Sequence, residues 1–388
     1  MKTVVIGLIG TGWAGNMHAN CYKKVYGTEC RLKWVCSVDD TLEQFAKDNG
    51  FESYTRDYHD ILADPEVDMV DIVTPPALHL RMIKDAAQAG KHIFCEKPVT
   101  GFFELDAGAA DGVSKQLMLD SVRGKFKELR AVVEDSGKVF GYAENWLYAP
   151  AFIRMEELVA AKGTRLLQIR GFTGHKGSHA THAGMWRING GGALIRQGCH
   201  PLSAALQLKK TEMESLGEKF GIEEVYCEVG RLSPVAKAGD NNHIEANPTD
   251  VEDWSELIVT FTDGTKALIS SSDLLLSGVF NKIEAWGNDS YHVCNMTPNN
   301  LLESYFSDAK GIETEHIMEK NDGNIGSQNV LIEEELLRGY QGEIQDMIDC
   351  VCNNKVPRSG LDIAEITMLV VYYAYLSAEQ GRRIRFEL

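Results

Sequence analysis

The sequence predicts an α/β chain: a doubly wound parallel sheet first, then an α+β region built on a largely antiparallel, open sheet. Three observations carry that prediction. Over the first third, short and nearly continuous apolar runs alternate with amphipathic helical stretches, the pattern of parallel strands covered on both faces. From about residue 138 the strands lengthen, alternate apolar with polar residues, and follow one another without helices between them, which suits an antiparallel sheet with one open face. At 388 residues, with 44% hydrophobic and 24% charged content, the chain can bury two such cores.

The elements follow in order. TVVIGL (3–8), LKWVCSV (32–38), MVDIV (69–73) and HIFC (92–95) read as buried strands. Helices are expected between them, including 42–49 and 78–89, the second closed by Gly90. KVFGYA (138–143) adds a strand, and 150–161 a helix with proline in its first turn. Strands over 165–173, 225–232, 256–262, 266–272 and 282–286 make the second sheet, with TDG (262–264) turning a hairpin. Helices near 336–352 and 362–380 close the chain, and DNNHIEANP (240–248) reads as an exposed loop. The boundary is expected after residue 144, giving domains 1–144 and 145–388.

The formal charge of −17, from 39 basic and 56 acidic residues, argues against a nucleic-acid or anionic-membrane partner, because both need basic patches. Nine cysteines without a CxxC pair read as reduced thiols, hence a cytoplasmic chain. The apolar start MKTVVIGLIGTGWAG is broken by glycines, which suits a buried strand better than a signal peptide. No apolar stretch approaches the roughly 20 residues that span a bilayer.

GTGWAG (10–15) is G-x-G-x-x-G, and it follows a strand and opens a helix, the context that gives the pattern meaning. Gly10 permits a tight turn, Gly12 lets a pyrophosphate approach the backbone, and Gly15 lets helix pack on strand. Trp13 and Ala14 complete the turn. The helix N-terminus supplies amide donors for phosphate. Asp39, with Asp40 beside it, ends the second strand where a ribose-binding acid belongs, and two carboxylates there repel a 2′-phosphate. The expected cofactor is NAD, with NADP disfavoured, on a Rossmann domain.

VDIVTPPALH (70–79) and GKHIFCEKP (90–98) extend the pattern, as do GYAENWLYAP (141–150), WRINGGGALIRQGCHP (186–201) and the tail 360–383. With GTGWAG, this set resembles the Gfo/Idh/MocA family of NAD(P)-dependent oxidoreductases, which act mostly on sugars, polyols and related cyclic compounds. The resemblance implies roles residue by residue. Lys97 matches the lysine that touches the reacting hydroxyl and the cofactor, and His200 the catalytic histidine. Thr74, Pro75 and His79 match the loop beside the nicotinamide ribose, Glu96 the acid before the lysine, and Trp186 and Arg187 a pair bordering the cofactor. Asn145, Tyr148, His175, His179 and Arg196, with His200, are the expected substrate pocket. The residue types agree: a histidine suits a general base near neutral pH, and a lysine stabilises a developing alkoxide.

Three departures from the family pattern stand out. Arg196 replaces the usual Asp four residues before His200, removing the carboxylate that would orient the imidazole. It is read either as a clamp for a carboxylate on the substrate or as the partner of an internal acid. Residues 100–122 form an apparent insertion, read as lid, contact or surface decoration. His175, His179 and His182 would share a helical face with metal-like spacing. They lie in a glycine-rich stretch after a strand, so contacts to substrate hydroxyls, and no metal, are expected.

The function expected is NAD-dependent oxidation of a secondary hydroxyl on a carbohydrate-like small molecule (sugar, sugar acid, cyclitol), or the reverse, by a homodimer or homotetramer. Two alternatives stay open: an NAD-dependent glycoside-cleaving enzyme working through transient oxidation, and a non-catalytic NAD-binding regulatory protein of the same fold.

Overall fold

Val4, Ile6 and Leu8 alternate with Val5 and Ile9 along β1 (Lys2–Ile9), and the two sets enter different cores on opposite faces of one sheet. That two-sided burial is what a continuous apolar run buys in a central parallel strand. The computed structural model describes residues 2–103, 112–178, 180, 182–237, 239–321 and 323–387. β1 is joined by β2 (Thr28–Cys36), β3 (Ser53–Thr55), β4 (Met69–Ile72), β5 (His92–Glu96) and β6 (Phe140–Ala143). Their order is β3-β2-β1-β4-β5-β6, every pairing parallel. This is the doubly wound order in which ligands bind where the strand order reverses, at the carboxyl ends of β1 and β4.

One face of the sheet carries α1 (Trp13–Tyr22) and α2 (Leu42–Asn49); the other carries α3 (Tyr58–Ala63), α4 (His79–Gln88) and α5 (Lys115–Ser136). The expected insertion at 100–122 is described only at its two ends. Residues 104–111 lie outside the described residues, Phe102 and Phe103 are buried, and Lys115 onward is the first turns of α5. Ser114 caps that helix, its Oγ accepting the Leu117 N–H at 3.3 Å; the cap was present in the sequence and went unused.

Beyond β6, α6 (Pro150–Lys162) leads into the second sheet, built from β7 (Leu166–Gly174), β8 (Ile222–Gly230), β9 (Trp254–Phe261), β10 (Lys266–Ser272), β11 (Phe280–Gly287), β12 (Tyr291–Thr297) and β15 (Ile384–Arg385), while β13 (Glu303–Phe306) and β14 (Gly326–Asn329) pair apart from it. Its order is β12-β11-β7-β10-β9-β8-β15. Only β7 and β10 pair in parallel; the other pairs are antiparallel. Alternate residues of β10 are buried, on the face covered by α7 (Cys199–Ser215).

The last two helices return to the first sheet. α8 (Tyr340–Asn353) packs on α1, and its Tyr340, Ile344, Met347 and Ile348 share a core with Val4, Ile6 and Phe94. α9 (Leu361–Gln380) lies between α5 and the second sheet. It corrects the expectation that no stretch is long and apolar enough to span a bilayer: its 20 residues qualify by length and hydropathy, with 72% of the apolar window buried inside the molecule. A helix wedged between two layers is apolar all round for that reason.

Candidate functional site

Three glycines of the first turn are needed for three different reasons. Gly10 sits at φ 120°, and a Cβ there would lie 2.7 Å from the Val73 carbonyl oxygen. A Cβ on Gly15 would lie 2.6 Å from the Gly10 carbonyl oxygen, so strand and helix could not meet. Gly12 faces nothing within 4 Å; it is open on the side where α1 begins without any side-chain cap. Uncapped amides at a helix start, beside a space that a Cβ would fill, suit a pyrophosphate.

Asp39 stands at the far side of that turn. Its Oδ2 accepts hydrogen bonds from Ser37 Oγ and Thr11 Oγ1, each at 2.8 Å, and these hold the carboxyl below its usual range. The other oxygen carries no bond to the chain among the described residues and suits a ribose hydroxyl. Asp40 is paired at 3.2 Å with Arg56, a surface cation that sequence reasoning passed over. Trp13 is half exposed, its ring edge-on to Tyr340 at 5.7 Å, and Ala14 is half-buried.

The reaction centre lies at the ends of β5 and β6. Glu96 Oε2 accepts the Lys97 N–H at 2.8 Å, and its other oxygen stands 3.5 Å from His18 Nε2. His79 is fully buried, with Nδ1 2.9 Å from the Pro98 carbonyl and Nε2 2.8 Å from the Thr74 carbonyl. Burial holds this imidazole neutral, so it donates to one carbonyl only. The ring therefore bonds one of the two carbonyls and packs against the other, between the 74–79 loop and the turn after Lys97. Thr74 is half-buried and Pro75 exposed at the rim.

Lys97 Nζ donates to the carbonyl of Arg196, and the local chain explains why that acceptor is free. Residues Leu194–Gly198 form a π-helical turn ahead of α7. In that register the Arg196 carbonyl would meet the amide of residue 201, which is Pro201 and has no N–H. Lys97 supplies the missing donor.

His200 does not lack a carboxylate. Its Nδ1 lies 2.6 Å from Oε1 of Glu144, the fully buried residue that follows β6. The imidazole stacks on Trp146 at 6.1 Å. With Nδ1–H donated to the carboxylate, Nε2 is left as the acceptor. Glu144 is the residue that sequence reasoning missed. It lay inside the quoted GYAENW, and the rule that ligands gather at strand carboxyl ends pointed to it. Glu144, Cys199 and His200 also place three ligand-capable atoms within 4.8 Å of one another. The His200 nitrogen is already taken by Glu144, and burial pushes the Cys199 thiol up to about 12, so the group is better suited to holding a proton than a metal.

Arg196 does meet a carboxylate, an internal one. It donates to Asp273, whose other oxygen accepts from Gln197 Nε2 at 2.9 Å. His175 accepts the Gly177 N–H on Nδ1 at 3.0 Å. Burial, with Arg196, Lys320, Arg338 and Lys97 around it, pushes its pKa down to about 3, so it is neutral. Burial and Arg196 also lower His182, and His179 lies outside the described residues.

Three expected site residues turn their polar atoms elsewhere. Asn145 Nδ2 donates to the Arg338 carbonyl at 2.7 Å. The Tyr148 hydroxyl donates to Asp346 and accepts from the Ser359 N–H, each at 2.8 Å. These bonds join the end of β6 to α8 and to the residues on either side of it. Trp186 is buried, its indole N–H on the Phe102 carbonyl at 3.1 Å and its ring against Tyr375 at 4.9 Å. Arg187 beside it is exposed.

Comparison with known proteins gives the family and the fold. Residues 4–110 match the family model described as oxidoreductase family, NAD-binding Rossmann fold, and residues 152–290 that of the GFO/IDH/MocA C-terminal domain. The chain is 34% identical over 143 residues to an uncharacterized oxidoreductase, YrbE, of Bacillus subtilis, covering 34% of this chain and 41% of that one. It is 40% identical over 113 residues to the scyllo-inositol 2-dehydrogenase (NAD(+)) of B. subtilis, covering 28% and 32%. These matches span about two-fifths or less of the relatives' lengths. The myo-inositol 2-dehydrogenase of Thermotoga maritima is 23% identical over 394 residues, covering 98% of each chain. Among solved structures, GenD2 from gentamicin A biosynthesis in complex with NAD superposes with a TM-score of 0.80 at 22% identity, covering 100% of this chain and 97% of that one. Levoglucosan dehydrogenase with NADH and L-sorbose gives 0.73 at 19% identity, covering 99% of each. At these identities the two structures speak for the fold.

Proposed function

The chain belongs to the GFO/IDH/MocA oxidoreductase family, and from that premise we propose that it is an NAD-dependent dehydrogenase acting on a secondary hydroxyl of a sugar or cyclitol. One observation carries the reading: Lys97 is bonded to the backbone one helical turn before His200, whose Nδ1 is held by a buried glutamate. A fixed cation and an oriented base are what removal of a hydroxyl proton needs.

NAD would be held by the amides after Gly10 and Gly12 and by Asp39, and its nicotinamide would accept the hydride from the substrate carbon. His200 Nε2 takes the hydroxyl proton while Glu144 stabilises the imidazolium that forms. Lys97 stabilises the alkoxide charge as it develops. Because Asp273 already compensates Arg196, no carboxylate on the substrate is required, and a neutral polyol is the favoured class. Lys97, His200 and Glu144 together favour an enzyme over a non-catalytic NAD sensor.

The test is NADH formation by the purified protein with NAD and a panel of cyclitols and sugars. Turnover should fall about 100-fold or more in Lys97→Met, while NAD affinity by calorimetry stays within about threefold. Absence of NAD uptake would end the proposal. Glycoside cleavage without net NADH would instead identify the oxidation–elimination alternative.

A further inference from the structure

His18, in the middle of α1, is the hub of a buried acid cluster that proton transfer through His200 leaves unused. Its Nδ1 lies 2.9 Å from Asp71 Oδ2, an oxygen that also accepts the Tyr22 hydroxyl at 2.9 Å, so Nδ1–H is the donor there. Its Nε2 faces Glu96 Oε1 at 3.5 Å and Glu343 Oε1 at 3.8 Å. Among the described residues, Nε2 and both Glu343 oxygens are buried without a hydrogen-bond partner. One ring nitrogen and two carboxyl oxygens thus converge, and none of them is a donor unless it binds a proton. Buried polar atoms are paired in native folds, so at least one proton is held among these three.

Glu96 connects this cluster to the reaction centre. It adjoins Lys97 at the end of β5, and its side chain is 12% exposed, where those of His18 and Asp71 are at 0% and that of Glu343 at 1%. Resting on the dehydrogenase reading above, we propose that His18, Glu96 and Glu343 form a proton-holding site that responds to the charge of the cofactor. NAD, with its cationic nicotinamide, expels a proton from this site to solvent as it binds. NADH, with its neutral ring, leaves the proton in place.

The surroundings decide which groups can respond. From α1 come His18, Cys21 and Tyr22, from β4 Asp71, and from β5 Glu96, followed by Lys97. From β6 and its end come Tyr142 and Glu144, and from α8 Tyr340 beside Glu343. Burial pushes the Cys21 thiol up to about 12 and raises all three tyrosines, so these keep their protons near neutral pH. Burial would raise Glu96 too, but His18 and Lys97 outweigh it and hold the group below its usual range. The proton is left to His18 and Glu343. Burial raises Glu343; it lowers His18, but Asp71 and Glu96 outweigh it and leave the imidazole raised. A positive charge arriving beside Glu96 disfavours another on this pair and loosens its hold on the proton.

Calorimetry of NAD and of NADH binding to the full chain, in phosphate and in Tris buffer, reads the protons released, because the two buffers differ in ionisation heat. The nucleotides differ only at the nicotinamide, so contributions from adenine and pyrophosphate cancel. NAD should release about 0.5 proton more than NADH, so that its affinity rises about tenfold from about pH 6 to about pH 8 while that of NADH stays within about twofold. Glu343→Gln offers Nε2 a donor that does not titrate, and His18→Asn replaces Nδ1–H toward Asp71 with an amide. Each should bring the difference below about 0.1 proton, and circular dichroism shows which variant is folded. Equal release with both nucleotides in the wild type, or a difference that a folded variant retains, overturns the proton site alone. No uptake of either nucleotide overturns the dehydrogenase reading beneath it, and the proton site with it.

Discussion

Glu144 and Arg196 have to be understood together. The family resemblance implies an aspartate four residues before His200; Arg196 stands there instead, and the carboxylate arrives from the end of β6. The two charges have separate partners, Glu144 with His200 and Arg196 with Asp273. The consequence is measurable. Glu144→Gln keeps the shape but loses the charge that stabilises imidazolium, and it can present its amide where His200 needs an acceptor. We expect kcat to fall on the order of 100-fold, with NAD affinity unchanged, because Glu144 does not reach the glycine turn. Stopped-flow nicotinamide fluorescence reads both quantities. An unchanged kcat would mean that Lys97 alone moves the proton.

α8 carries its own experiment. Glu343 is fully buried on this helix, and neither of its oxygens has a hydrogen-bond partner among the described residues. It faces His18 of α1, Nε2 to Oε1 at 3.8 Å, and the charges of Glu96, Glu144 and Asp71 surround it. Burial, reinforced by those carboxylates, pushes its pKa well up. For His18, burial lowers the pKa, but Asp71 at 2.9 Å and Glu96 outweigh it and leave the group raised. The signs agree. A folded acid with a raised pKa keeps a proton that the unfolded chain releases, so stability falls as pH rises from the ordinary carboxylate range towards the folded value. His18 stabilises fully below its unfolded pKa and loses that contribution as pH rises through the folded one. Glu343→Gln removes the first effect only. Its Tm should exceed that of the wild type by a few °C near pH 7, and the gap should close by about pH 4. A gap independent of pH in thermal melts would show that Glu343 is ionised in the fold. Helices of this kind are visible in sequence as apolar periodicity. Periodicity does not say which layer a helix joins, and a lone acid within it signals nothing. The same limit covers the π turn at Arg196, which depends on what Pro201 lacks. The glycine turn and Lys97 were legible because backbone geometry and strand ends impose them locally. Glu144 to His200 is a contact across 56 residues, outside the reach of any local pattern.

At the scale of the whole molecule, the sequence boundary after residue 144 does not divide two cores. One face of the first sheet, with Val4, Ile6, Leu8 and Phe94, is completed by Tyr340, Ile344, Met347 and Ile348 of α8. The other face, through α5, is completed by α9. Each buried side chain of this size contributes about 1.5–3 kcal/mol. Four of them on α8 alone then rival the net stability of a typical domain, about 5–15 kcal/mol. The cradle at Gly10–Gly15 is therefore held in shape by the chain's last 50 or so residues as much as by its first 144. Residues 1–144 expressed alone should expose both faces, show no cooperative melt in circular dichroism, and take up no NAD in calorimetry, although every residue of the glycine turn and Asp39 is present. Cofactor binding would then depend on closure of the chain upon itself. A fragment 1–144 that melted cooperatively and bound NAD as tightly as the full chain would show that α8 and α9 are additions to a self-sufficient fold, and the shared-core argument would fail.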